Sequence, residues 1–168
     1  MKEKMHATKT KKKKYRSKFP QSIGYSYTHE LLASPTEPIP ISAQQNYFML
    51  ICQALAEING EISIFGWNTL SEMVNLMQTF VMQGTCDDKD GLVTDAVTVL
   101  VAAGKSHLSG QPIYLYGVEK ETVRAIAMDF IEIAKVISHR EMVKCHRATQ
   151  VRIDAQRSKK TDFVKKNR

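Results

Sequence analysis

Charge in this chain is sorted by position. Residues 1–20 hold nine Lys or Arg and one Glu, a net +8; residues 21–138 hold five basic and thirteen acidic side chains, a net −8; residues 139–168 hold ten basic and three acidic, a net +7. An unpaired charge is too costly to bury, so neither end can supply a hydrophobic core. The folded body must therefore come from residues 28–153, with a basic tail at 1–27 and a second at 154–168. With 43% apolar residues over 168 positions, one helical domain of that size has enough core material. The first tail, with Lys11-Lys12-Lys13-Lys14 and almost no aliphatic side chains, cannot offset its ordering entropy and is expected to be disordered when free.

Cationic ends around an acidic body suit a polyanionic partner, and duplex DNA is the simplest one. No run approaches the roughly eighteen consecutive apolar residues of a membrane helix, and no apolar stretch follows the Lys run as a secretory signal would require. Cys52, Cys86 and Cys145 are odd in number and far apart, which reads as free thiols in a reducing cytoplasm. His139, Cys145 and His146 lack the second close pair that a zinc site wants. No metal or other cofactor is expected.

The body reads as helices. Ser42 and Gln45 have capping-box spacing, and Tyr47, Phe48, Ile51, Ala54, Leu55 and Ile58 recur at helical period up to Asn59-Gly60. Glu61 to Phe65 suits a short strand or a buried loop, with Trp67 as a core plug. Thr69 and Glu72 form a second capping box ahead of a stripe from Leu70 to Val81. Asp90 is placed to cap a third helix through about Ala103, with Gly104 as its stop; Val97 to Val101 is β-branched enough for a strand, but length and the cap–Gly pair tip the reading to helix. Gln111 to Tyr116 reads as a short strand, and Glu119 to Ile137 as an amphipathic helix. Ser138 and Glu141 then signal a break and a new basic helix to about Ile153.

Motifs for catalysis fail on spacing. Gly104-Lys105-Ser106 looks like the end of a phosphate loop, but Val99 stands where the earlier glycine is needed. Ser106-His107 is mere adjacency without a glycine elbow. Asp87, Asp88 and Asp90 lack calcium-loop spacing and read as a solvated loop. The expectation is a protein that is not an enzyme.

A strand as short as 111–116 is unstable alone. It is either a buried strand of a monomeric helical domain or, paired with its copy in a second chain, half of a two-stranded ribbon that fits the DNA major groove. With Ile113-Tyr114-Leu115-Tyr116 as ribbon, Glu119 to Ile137 as first helix and Ser138-His139-Arg140-Glu141-Met142-Val143 opening the second, this quarter of the chain resembles the ribbon-helix-helix DNA-binding regulators. The long preceding region and basic ends are similar to AcaB-type transcriptional activators of conjugative plasmids. The resemblance implies a groove-facing set of Tyr114 and Tyr116, or of Gln111, Ile113 and Leu115. It also implies phosphate anchoring at Ser138, His139 and Arg140.

The expected fold class is thus mainly α, with one short strand and a ribbon-helix-helix-like part over 111–153. The expected function is a homodimeric, cytoplasmic, duplex-DNA-binding transcription regulator from bacterial mobile DNA. The rival is a helical scaffold or nucleoprotein accessory protein that holds nucleic acid without reading sequence. The candidate DNA contacts are Lys11, Lys12, Lys13, Lys14, Arg16 and Lys18 in the tail. Gln111, Tyr114 and Tyr116 follow in the ribbon, then Ser138, His139, Arg140, Lys144 and Arg147 in the last helix.

Overall fold

The structure, a computed structural model, describes residues 32–166, without the side chains of Lys89 and of 158–166. Among the described residues there are five α-helices: α1 Ile41–Glu57, α2 Ile64–Met82, α3 Leu92–Leu108, α4 Val118–Val136 and α5 His139–Lys166. A single 3-10 turn, Lys89–Gly91, leads into α3. Among the described residues there is no β-strand, only two isolated bridges, Pro38 with Ser138 and Ile62 with Ile113.

The expected ribbon-helix-helix class is therefore overturned. Ile113 bonds within its own chain, where its carbonyl accepts from the Ile62 N–H at 2.9 Å. The expected alternation is present, with Ile113 and Leu115 buried and Tyr114 and Tyr116 turned outward. The inward pair fills this chain's own core, so the segment has no need of a second chain to bury it.

The apolar stripe of α2 explains the architecture. Leu70, Met73, Val74, Leu76, Met77 and Phe80 are all buried, too wide an apolar face for one neighbour to cover. Accordingly α2 packs against α1, α3, α4 and α5. Phe80 stacks on Phe130 of α4 with ring centroids 6.1 Å apart. Tyr47 of α1 meets Phe130 edge-on at 5.8 Å. Each fully buried aromatic of this kind contributes on the order of 1.5–3 kcal/mol of transfer free energy.

Helix boundaries depart from the sequence reading where distant groups supply the cap. The Ser42–Gln45 box does not form; α1 starts after Pro40, whose carbonyl receives the Ala43 and Gln44 N–H groups. Helix α2 starts five residues before Thr69. Ser63 Oγ accepts from the Gly66 N–H at 3.0 Å, and Glu57 Oε2 accepts from the Ser63 N–H at 2.7 Å. Thr69 sits inside the helix and donates its hydroxyl to the Phe65 carbonyl. At α3 the capping carboxylate is Asp88 rather than Asp90, accepting from the Val93 N–H at 2.8 Å and from the Thr94 hydroxyl at 2.9 Å.

Gly104 does not stop α3, because its missing side chain serves packing. A Cβ there would lie 2.5 Å from Cζ2 of Trp67, and the Trp67 indole N–H donates to the Leu100 carbonyl at 3.0 Å. The Gly-Lys-Ser triplet is thus helix interior against a tryptophan, with no loop in which to hold phosphate.

Candidate nucleic-acid interface

Helix α5 carries nine Lys or Arg against three acidic residues, whereas α1 and α2 contain no Lys or Arg at all. Its buried side is set by Met142, Val143, Cys145 and Thr149. Arg140, Lys144 and Arg147 recur at i, i+4 and i+7, so they share one face, largely turned from Cys145 and Thr149. Lys144 is exposed and pairs with Glu141 at 3.4 Å, a surface contact worth little.

The break before α5 falls where Ser138 was expected to cap. Ile137 is extended (ψ 140°), and Ser138 Oγ accepts from the Glu141 N–H at 3.2 Å. The other free donors of this helix start are taken. The His139 N–H donates to the Glu37 carbonyl at 2.8 Å and the Arg140 N–H to the Ser34 carbonyl at 2.9 Å. The Arg140 Nε–H donates to the Ala33 carbonyl at 3.1 Å. A proline-bearing strap at 33–39, seated by buried Ala33 and Ile39, therefore fills the position where Ser138, His139 and Arg140 were expected to present backbone donors to a phosphate. The anchoring implied by the family resemblance is corrected in that respect. The cause is tertiary: a segment about a hundred residues away satisfies the orphan N–H groups.

The two expected clusters are not brought together. Tyr116 precedes α4 and Ser138 follows it, so the 19-residue helix separates them by roughly 28 Å. Tyr114 and Tyr116 lie 6.2 Å apart, ring to ring, and the Tyr116 N–H donates to Glu119 Oε2 at 2.9 Å. Gln111 is exposed and accepts through its carbonyl from the His107 ring at 3.2 Å. This corner is flanked by Glu119, Lys120 and Glu121, the last paired with Arg124, so it has no excess of positive charge to draw a polyanion. Lys11 to Lys14, Arg16 and Lys18 lie outside the described residues.

Arg152 illustrates what the sequence could not show. Its guanidinium donates to the Asn75 carbonyl at 2.9 Å, to the Gln78 side chain, and to Met82 Sδ at 3.3 Å. Burial lowers its pKa. It clips α5 onto α2 and has few donors left for a phosphate. Beside it, Lys144, Arg147 and exposed Val151 of α5 face Thr79 and Met82 of α2 and the following Gln83 across a groove of about 570 Å³.

The titratable groups behind the basic face are inert. Burial, then Glu141, pushes the Cys145 thiol up to about 12, and the thiol donates to Gln83 Oε1 at 3.2 Å. Burial pushes His146 down to about 4. The ring is therefore neutral near pH 7, stacked on Tyr47 with its Nε2 2.6 Å from the tyrosine hydroxyl. Burial, then Asp87, Asp129 and Asp88, raises the Cys86 pKa. Neither thiol is poised as a thiolate. His139, Cys145 and His146 have separate surroundings, and no group of three metal-ligating side chains clusters among the described residues. Among the same residues, no helix is long and apolar enough to cross a membrane.

The fold thus defines an all-α, five-helix class over the described residues, with one cationic helix on a net-acidic body. No family model, curated protein or solved structure matches this chain.

Proposed function

We propose that this protein is a non-enzymatic nucleic-acid-binding accessory protein that grips duplex DNA through its phosphates, using the basic tail and helix α5 as one surface. The observation that carries the reading is the strap. It holds Ala33 and Ser34, at the start of the described chain, against Arg140 in the first turn of the most basic helix. The reading takes the cationic segment that precedes the strap in sequence to act together with α5. Lys144 and Arg147 extend that surface along α5. The tyrosine corner at 114–116 sits at the far end of α4 with no excess of positive charge, which favours binding without base reading over sequence-specific regulation.

Phosphate contact has a direct signature in salt. Neutralising six or more phosphates predicts a slope of log affinity against log salt of about −5 or steeper for a duplex. Fluorescence anisotropy on labelled duplexes of unrelated sequence should return that slope with similar affinities for all of them. A flat salt response would overturn the reading. A strong preference for one sequence, with discrete footprints, would return the protein to the transcription-regulator class.

A further inference from the structure

We propose that the outer end of α5, residues 154–166, enters the major groove of the duplex as a continuous helix; the inference rests on the reading of this protein as a duplex-DNA binder. Length is the first observation. Helix α5 has 28 residues, whereas α1 to α4 have 17 or 19 each. It spans about 42 Å, against about 26–29 Å for the others. It runs antiparallel to α2: Cys145 bonds to Gln83 just past the end of α2, Thr149 to Thr79 and Arg152 to Asn75. Thr149 is the last buried residue of α5 among the described side chains, and residues 154–157 are all exposed. The helix therefore outruns the body on which it packs.

Charge is the second observation. Residues 154–166 comprise five basic and two acidic residues, a net +3. Counted from Arg157, positions 165, 166, 159 and 160 fall at about 80°, 180°, 200° and 300° around the helix. The acidic positions 154 and 162 fall at about 60° and 140°. An arc of about 180° thus holds Lys166, Lys159, Lys160 and Arg157 and no acidic residue. A helix resting on one surface needs a stripe of only about 100°. Positive charge over half a circumference suits a concave anionic partner with two walls. The major groove of B-DNA is about 12 Å wide, admits a helix about 10–12 Å across and has phosphates along both edges. The major groove of duplex RNA is deep and narrow and does not admit one. A segment of this length is marginal as an isolated helix, but the packed part of α5 nucleates it.

The test uses the full chain and labelled duplex DNA in fluorescence anisotropy. Ser158→Pro keeps every charge and breaks the helix beyond its packed part, because proline lacks the N–H and clashes with the carbonyl of residue 154. Ser158→Ala keeps both charge and helix. The proline variant should bind about tenfold more weakly, and the alanine variant within about twofold of wild type. Thermal melts of the two should coincide, because the break lies outside the packed body. On wild type itself, methyl green, which fills the major groove, should release the protein at concentrations where netropsin, a minor-groove ligand, does not. Equal affinities of the two variants would overturn the inference, as would release by netropsin as readily as by methyl green; both outcomes leave duplex binding intact. Wild type that ignores duplex DNA would overturn the functional reading and this inference with it.

Discussion

Helices α1 and α5 touch the same core and could hardly differ more. One residue in 17 is charged in α1; twelve of 28 are charged in α5, nine of them basic. They meet through Tyr47 and His146, hydroxyl to ring nitrogen at 2.6 Å. The contrast teaches that one core can carry a nearly uncharged helix and a strongly basic one.

The joint between the two helices gives the largest effect by which to test the contrast. His146 is held neutral, with its pKa near 4 in the folded chain against 6.5 when unfolded. Its folded pKa is depressed, so the unfolded state binds the extra proton as pH falls. The stability contribution is complete above pH 6.5 and is lost as pH drops toward 4. Denaturant melts from pH 7 to 4 should show wild type losing on the order of 3 kcal/mol more than His146→Gln, whose amide still accepts from Tyr47. Equal losses would mean that the α1–α5 joint does not depend on a neutral imidazole.

Two cations on α5 sharpen the comparison further down in size. Arg152→Met should cost about 1–3 kcal/mol of stability, because Asn75 and Gln78 lose a charged donor, and should leave the salt slope of DNA binding nearly unchanged. Lys144→Gln should do the reverse, with stability within about 0.5 kcal/mol and a slope shallower by about 0.9. Thermal melts and anisotropy titrations on the same two proteins separate them. If Arg152→Met weakened DNA binding as much as Lys144→Gln, the clip assignment would be wrong.

Local rules read some of this molecule correctly, and for identifiable reasons. The α4–α5 break was legible because Ser138 and Glu141 are neighbours whose cap forms inside one turn. The in–out alternation of 113–116 was legible because pleat-like spacing needs no partner to state it. What such a segment pairs with is a tertiary fact, and Ile62 lies some fifty residues away. Starts of α2 and α3 were misplaced because Glu57 and Asp88 reach in from outside the helices they help to cap. Gly104 looked like a stop because a small residue for close approach to Trp67 and a small residue for a turn are the same letter. The basic face at 140, 144 and 147 was visible as a spacing. The strap over its first turn, and the diversion of Arg152 into the core edge, depended on contacts that no local window contains.

The claim most in need of a direct test is that tail and α5 grip the same duplex. One titration series on a duplex of about 12 base pairs, near 40 Å long, compares wild type, a tail variant with Lys11 to Lys14 changed to Ala, a helix variant with Lys144 and Arg147 changed to Gln, and the combination. The account predicts that each variant weakens binding to this short duplex and flattens its salt slope, by about 3.6 for the tail change. If only one of the two segments affected so short a duplex, they would not form one surface, and the account would be contradicted.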